Sequence, residues 1–220
     1  MSLWVKVCGL RNPADVAAAC AAGADAIGFV FAPSVRCVSP AEATVAAAAA
    51  PANVQRVAVF LHPTQAELDE VLAGFKPDIV QTDSADFAAL HVPAGIALLP
   101  VVRAGGSREQ APSHNEASFV GGSLLPTRCL VEGPRSGTGQ VADWAAAAAI
   151  AARTQVVLAG GLQVDNVAAA VQAVRPWGVD VSSGVESAPG VKDAARIHQF
   201  VLAARQAHAA AVASMNIVRT

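Results

Sequence analysis

A thiol, a cation and a glycine meet at the end of the first apolar run, Trp4-Val5-Lys6-Val7-Cys8-Gly9-Leu10. Successive side chains of a strand point to opposite faces, so Trp4, Lys6 and Cys8 share one side and Val5 and Val7 the other. A lone strand-end cysteine is usually a small, inert core residue. A cation on the same face changes its chemistry, because the thiolate is the reactive form and a neighbouring positive charge favours it. This arrangement suits a base or nucleophile better than it suits packing. Cys20, Cys37 and Cys129 read as packing residues. The four cysteines show no Cys-x-x-Cys spacing. Neither a zinc site nor a disulfide framework is expected, and the thiols are those of a cytoplasmic protein.

A second set of residues could hold an anion. Gly160-Gly161, Ser182-Ser183-Gly184 and Ser136-Gly137-Thr138-Gly139 each follow an apolar run. Glycines let backbone N–H groups approach a phosphate closely. One such loop is no more than a tight turn, whereas three brought to one end of a sheet make a phosphate cradle.

These residues need elements that gather them. Strand-like runs at about 3–8, 25–31, 54–60, 77–82, 96–102, 128–132, 155–159 and 178–182 alternate with helical segments near 13–22, 40–50, 64–74, 84–90, 107–115, 141–152, 163–174 and 190–212. Asn12-Pro13 and Ser39-Pro40 each place a cap before a proline at the first helical position. Thr64 with Glu67 reads as a capping box. Eight strand–helix units of similar size predict an α/β fold, a single-domain (β/α)8 barrel spanning residues 1–220, with 203–220 a C-terminal helical extension or tail. A doubly wound sheet is the alternative. In a barrel, function sits at the C-terminal strand ends, and phosphate is commonly held after strands seven and eight. Those ends carry Cys8-Gly9, Gln81-Thr82-Asp83, Glu132-Gly133, Gly160-Gly161 and Ser182-Ser183-Gly184. Of the five histidines only His62 lies at a strand end. Closure makes strands one and eight neighbours. Lys6 shares the parity of Cys8, and Asp180 that of Ser182, so Lys6 and Asp180 are expected to pair inside the barrel, since a lone buried charge is costly.

Composition narrows the partners. Hydrophobic residues make up 54% and charged residues 15%, which fits a large aliphatic core. The net charge of −2 speaks against nucleic-acid binding, which needs a basic patch. No apolar run reaches about 18 residues, so no membrane span is expected. The start of the chain lacks the basic, apolar, then small-residue order of a signal peptide.

The sequence resembles the phosphoribosylanthranilate isomerase family of tryptophan biosynthesis. The resemblance runs through Lys6-Val7-Cys8-Gly9-Leu10, Gly23 to Phe31, Ser34-Val35-Arg36-Cys37-Val38-Ser39-Pro40 and Val57-Ala58-Val59-Phe60. It resumes at Ser136-Gly137-Thr138-Gly139, Asp143-Trp144, Leu158 to Leu162, Arg175-Pro176, Val179 to Glu186 and Pro189-Gly190-Val191-Lys192-Asp193. It implies an isomerase carrying out an Amadori rearrangement of N-(5-phosphoribosyl)anthranilate by general acid–base catalysis, without metal or organic cofactor. The enzyme is expected in the cytoplasm, as monomer or homodimer, with a small phosphosugar as its partner. By resemblance Cys8 is the base and Glu132 the acid, and Arg36 binds the anthranilate carboxylate. Gln81, Asp83 and Asp180 contact substrate. Gly137, Gly139, Gly160, Gly161, Ser182, Ser183 and Gly184 hold phosphate.

The chain departs from the family pattern on one side of the expected mouth. The acid is normally aspartate, and here it is Glu132. The fourth strand normally ends Val-Gln-Leu-His-Gly, and here it reads Val80-Gln81-Thr82-Asp83-Ser84. A lysine usual near the fifth strand end has no clear match in Leu99-Pro100-Val101-Val102-Arg103. Two other readings therefore stand beside the isomerase: a barrel of the family acting on another phosphosugar, and a barrel that binds a phosphate ligand without turnover. An epimerase would want a His/Asp metal set at the strand ends, and that set is missing.

Overall fold

The computed structural model describes residues 2–103, 126–133 and 142–217. Eight parallel strands close into a barrel in chain order: β1 (Trp4–Cys8), β2 (Ala26–Val30), β3 (Gln55–Val59), β4 (Ile79–Asp83), β5 (Ala97–Arg103), β6 (Arg128–Glu132), β7 (Gln155–Leu158) and β8 (Gly178–Val181). β8 closes onto β1 with Lys6 in register with Asp180. The helices are α1 (Pro13–Ala21), α2 (Pro40–Ala47), α3 (Gln65–Gly74), α4 (Trp144–Ala151), α5 (Val167–Val174) and α6 (Ala194–Ile217). Asn12, Ser39 and Thr64 cap the first three with their side chains, and Ser39 and Thr64 do so in full capping boxes with Glu42 and Glu67. Among the described residues no helix is long and apolar enough to cross a membrane.

Two helical expectations change. The segment 84–90 holds one 3-10 turn, Asp86–Ala88, and no helix. Asp86 is taken up by side-chain bonds from Thr82 at 2.6 Å and His62 at 3.0 Å, and Pro93 and Gly95 leave little chain before β5. The last helix begins at Ala194 rather than 190. Before it the chain makes a small antiparallel hairpin, β9 (Glu186–Ala188) and β10 (Val191–Lys192), turning at Gly190 with φ +79°. The helix expected at 107–115 lies outside the described residues.

The strand alternation divides the core. Val5, Val7, Ile27, Phe29, Val131 and Val179 face outward against the helices. Trp4, Ala26, Val57, Ile79, Leu99, Leu130 and Val157 fill the barrel interior. Trp4 closes the floor, stacked on Trp177 at 5.3 Å, with its indole N–H donating to Gln55 at 3.1 Å. A side chain at Gly178 would meet the Trp4 carbonyl oxygen at 2.8 Å, so the floor requires a glycine there.

Above that floor the interior turns polar. Lys6 is fully buried, and its Nζ donates to Asp180 Oδ1 at 2.9 Å. The pairing expected from parity and closure is present. Removing one partner of a buried pair strands the other, at a cost of about 3–5 kcal/mol, whereas replacing both is far milder. Lys6→Met should therefore lower the melting temperature by roughly 6–20 °C, at ~2–4 °C per kcal/mol for a chain of this size. Adding Asp180→Asn should recover part of that loss. Thermal unfolding of the two single variants and the double checks this. Strictly additive losses would show that the charges do not stabilise each other.

Candidate active site at the barrel mouth

The thiol sits directly above the buried pair. Cys8 is buried at the top of β1, facing the same way as Lys6. Gly28 of β2 makes room for both, since a Cβ there would lie 2.9 Å from Cys8 Sγ and 3.0 Å from Lys6 Cε. Burial pushes the Cys8 thiol above its ordinary value, while Lys6 and Lys192 pull the other way. Burial depresses the Lys6 ammonium, but Asp180 and Cys8 more than restore it, leaving it above its usual value. The base candidate is thus a shielded thiol with a cation at hand. Among the described residues no cation acts on Cys129 in this way. Burial alone raises it to about 11, and it packs in the outer shell. Cys20 and Cys37 are free thiols, part-buried and exposed respectively.

The chain turns at Gly9 with φ +74°, a conformation that side chains with a Cβ avoid. A Cβ at Gly9 would meet Arg36 Cδ at 2.6 Å and Ser182 Oγ at 3.0 Å. Three residues expected at the site, Cys8, Arg36 and Ser182, therefore surround one glycine. The expectation for Arg36 was a fork facing substrate. Its Nε and one Nη grip Glu186 of β9 at 2.7 and 2.8 Å, which leaves the end-on fork unused by Glu186. Lys192 of β10, almost fully buried, reaches the same carboxylate at 2.7 Å and the Ser182 carbonyl at 2.9 Å. Burial works against the Glu186 carboxylate, yet hydrogen bonds from Arg36 and Lys192 hold its pKa at about 2. Burial lowers the Lys192 ammonium, and Glu186 only partly offsets this. The sequence reading assigned no part to Glu186 or Lys192. They lie beyond β8, where strand parity gives no guide, although the run Pro189 to Asp193 had marked the region.

The glycine loops after β7 and β8 come together as expected. Gly160 and Gly161 have φ +84° and +64°. A Cβ at Gly184 would fall 1.9 Å from the Leu162 carbonyl oxygen, so the two loops touch there and only glycine fits. Ser183, exposed to solvent, opens a 3-10 turn that ends in the buried Val185. Gly137 and Gly139 lie outside the described residues.

The opposite side of the mouth holds the carboxylates. Arg103 ends β5 in register with Glu132 on β6. It donates to Glu132 at 2.9 Å and to both oxygens of Asp83 at 2.9 Å. Asp83 also lies 3.4 Å from His62, which follows β3 with φ +49°; with Asp86 their ligand atoms lie within 4.8 Å of one another, so a His/Asp set is present at these strand ends where none was expected. Asp83 and Glu132, on strands that do not touch, are thus joined through one guanidinium. Arg103 shares the inward parity of Leu99 and Val101, so a cation at this strand end was legible but went unassigned. Gln81, on the same face of β4 as Asp83, is buried, and among the described residues its Oε1 has no hydrogen-bond partner. An orphaned acceptor of this kind is costly and calls for a donor.

The arrangement comprises a shielded thiol beside cations, a pair of carboxylates across the mouth, an unmatched amide oxygen and touching glycine loops. It is equipped to move protons on a small anionic ligand. Residues 5–203 match the family model for N-(5'phosphoribosyl)anthranilate (PRA) isomerase. Proteins described as N-(5'-phosphoribosyl)anthranilate isomerase from Pelobacter propionicus and Bordetella petrii are 38% and 40% identical. They align over 92% and 94% of this chain and 95% and 97% of their own lengths. A crystal structure of phosphoribosyl anthranilate isomerase in complex with reduced 1-(o-carboxyphenylamino)-1-deoxyribulose 5-phosphate superposes with a TM-score of 0.73. Its identity is 30%, and the match covers 93% of this chain and 99% of that one. The chain belongs to the N-(5'-phosphoribosyl)anthranilate isomerase family.

Proposed function

We propose that this chain rearranges N-(5-phosphoribosyl)anthranilate to 1-(2-carboxyphenylamino)-1-deoxyribulose 5-phosphate, acting in the cytoplasm as a monomer or homodimer. Glu132 gives a proton to the ribose ring oxygen as the C1–O bond breaks, leaving an iminium between C1 and the anilino nitrogen. The Cys8 thiolate then takes the proton from C2, and the electron pair of that bond moves to form the enolamine. Return of that proton to C1, with loss of the 2-hydroxyl proton to the Glu132 carboxylate, gives the ketone and restores both residues. Every atom of the substrate is kept, so no co-reactant is needed. The observation that carries this reading is the Cys8–Lys6–Asp180 stack, which holds a thiol next to a cation at the top of β1.

The remaining residues place the substrate. Arg36 meets the anthranilate carboxylate with its forked donors. Phosphate lies against Gly160, Gly161, Ser182, Ser183 and Gly184, with Gly137 and Gly139 closing over it and backbone N–H groups as the main donors. Gln81 Oε1 accepts from a sugar hydroxyl, which relieves its burial without a partner. Asp83 and Asp180 contact the substrate as well. Transfer of this chain into a tryptophan auxotroph lacking only the isomerase step should restore growth without tryptophan. Failure to do so from a folded, expressed protein would favour a barrel that binds phosphate without turnover.

A further inference from the structure

The trio Arg36, Glu186 and Lys192 is arranged for more than stability. We infer that Glu186 and Lys192 are positioning residues for the substrate carboxylate: Glu186 fixes the Arg36 guanidinium edge-on, and Lys192 keeps the trio net positive. The inference rests on the reading of Arg36 given above.

The hydrogen-bond arithmetic supports it. A carboxylate has about four acceptor sites, and those of Glu186 are filled. Oε1 takes Arg36 Nε and Lys192 Nζ, both at 2.7 Å, and Oε2 takes Arg36 Nη2 at 2.8 Å and the Gly190 N–H at 3.1 Å. Arg36 has five donors and spends two on Glu186. The others, which include the forked end-on pair, have no hydrogen-bond partner among the described residues. A guanidinium held along one edge has lost the freedom to swing, so a second carboxylate can be met end-on with little further ordering. The stem is fixed as well, because Arg36 Cδ lies against Gly9, where no Cβ would fit.

Charge makes the case for Lys192. Arg36 with Glu186 alone is neutral, so Glu186 offsets part of the attraction an incoming carboxylate would feel. Lys192 adds one positive charge from a position almost closed to solvent. Its bond to the Ser182 carbonyl ties this charge to the loop assigned to phosphate. The two anionic ends of the substrate are then met by one connected unit.

The test separates this positioning role from a structural one. Two non-reactive product analogues, alike except that one lacks the ring carboxylate, are titrated by calorimetry against wild type, Glu186→Gln, Lys192→Met and Arg36→Met. Steady-state kinetics are run alongside. Glu186→Gln should weaken the carboxylate-bearing analogue and raise KM by about 10–100-fold, the range for a hydrogen bond to a charged group. Turnover at saturation should stay within about threefold, and the carboxylate-free analogue should bind as it does to wild type. Lys192→Met should likewise weaken the carboxylate-bearing analogue more than the carboxylate-free one and raise KM, with some loss of turnover besides, since the same ammonium favours the Cys8 thiolate. Glu186→Asp keeps the charge on a shorter arm and should give an intermediate loss, so the idea stays open to refutation if the glutamine variant folds poorly. Equal weakening of both analogues, or a fall in kcat with KM unchanged, would overturn it. If Arg36→Met itself fails to discriminate between the analogues, the reading of Arg36 fails and this inference with it. If Arg36→Met discriminates and the Glu186 and Lys192 variants do not, only the inference fails.

Discussion

Cys8→Ser is expected to reduce turnover by roughly 10²-fold or more, the range for loss of an acid–base group, with the fold intact. The substitution changes one atom in a site that β1, Gly28 and Lys6 already enclose, so thermal unfolding should shift little. The reason for the loss is acidity. A thiol can reach its anionic form at a pH the enzyme meets, and a serine hydroxyl cannot. The cations at hand, Lys6 and Lys192, act on the sulfur against the burial that opposes its ionisation. In the wild-type enzyme kcat/KM should rise with pH as Cys8 loses its proton, because the thiolate is the base. That rising limb should vanish in Cys8→Ser, while KM changes little. Cys8→Ala tests the same point without a competing hydroxyl. A folded Cys8→Ala enzyme with near wild-type turnover would remove Cys8 from the chemistry.

The strand half of the site was legible because alternation and closure are strict. Lys6 and Asp180 are 174 residues apart, yet parity on β1 and β8 and the closing of a barrel suffice to bring them together. Cys8, Gln81, Asp83 and Glu132 were placed by the same rule, since each lies at or near the C-terminal end of its strand. The rule stops where the strands stop. Glu186 and Lys192 sit on a hairpin whose turn depends on Gly190, and a helix was expected to begin there because the apolar pattern runs on into α6. The segment after β4 misled for a different reason. Its residues favour helix, but Asp86 bonds to Thr82 and His62 and holds the chain to a single turn. Arg103 was missed although its parity was readable. The comparison had been with a lysine, and a guanidinium that bridges two carboxylates does a job an ammonium performs less well.

Arg103 decides how the last assignment is to be tested. Glu132→Gln should abolish measurable turnover, a fall of roughly 10²–10⁴-fold for loss of the general acid, because an amide has no proton to give the ring oxygen. The fold should survive it, since Arg103 keeps both bonds to Asp83 at 2.9 Å. Glu132→Asp should retain part of the activity, as aspartate is the residue the family places there and the carboxylate is preserved. Asp83→Asn should be milder than Glu132→Gln, on the order of tenfold, because it loosens one anchor of Arg103 and displaces the acid without removing it. The two carboxylates share one guanidinium, so their effects should not add, and Asp83→Asn in a Glu132→Asp background should cost less than the product of the single losses. Single-turnover measurements on the three single variants and the double give all four values. Should Asp83→Asn extinguish turnover while Glu132→Gln is tolerated, the proton comes from β4, and Glu132 serves only to hold Arg103 in place.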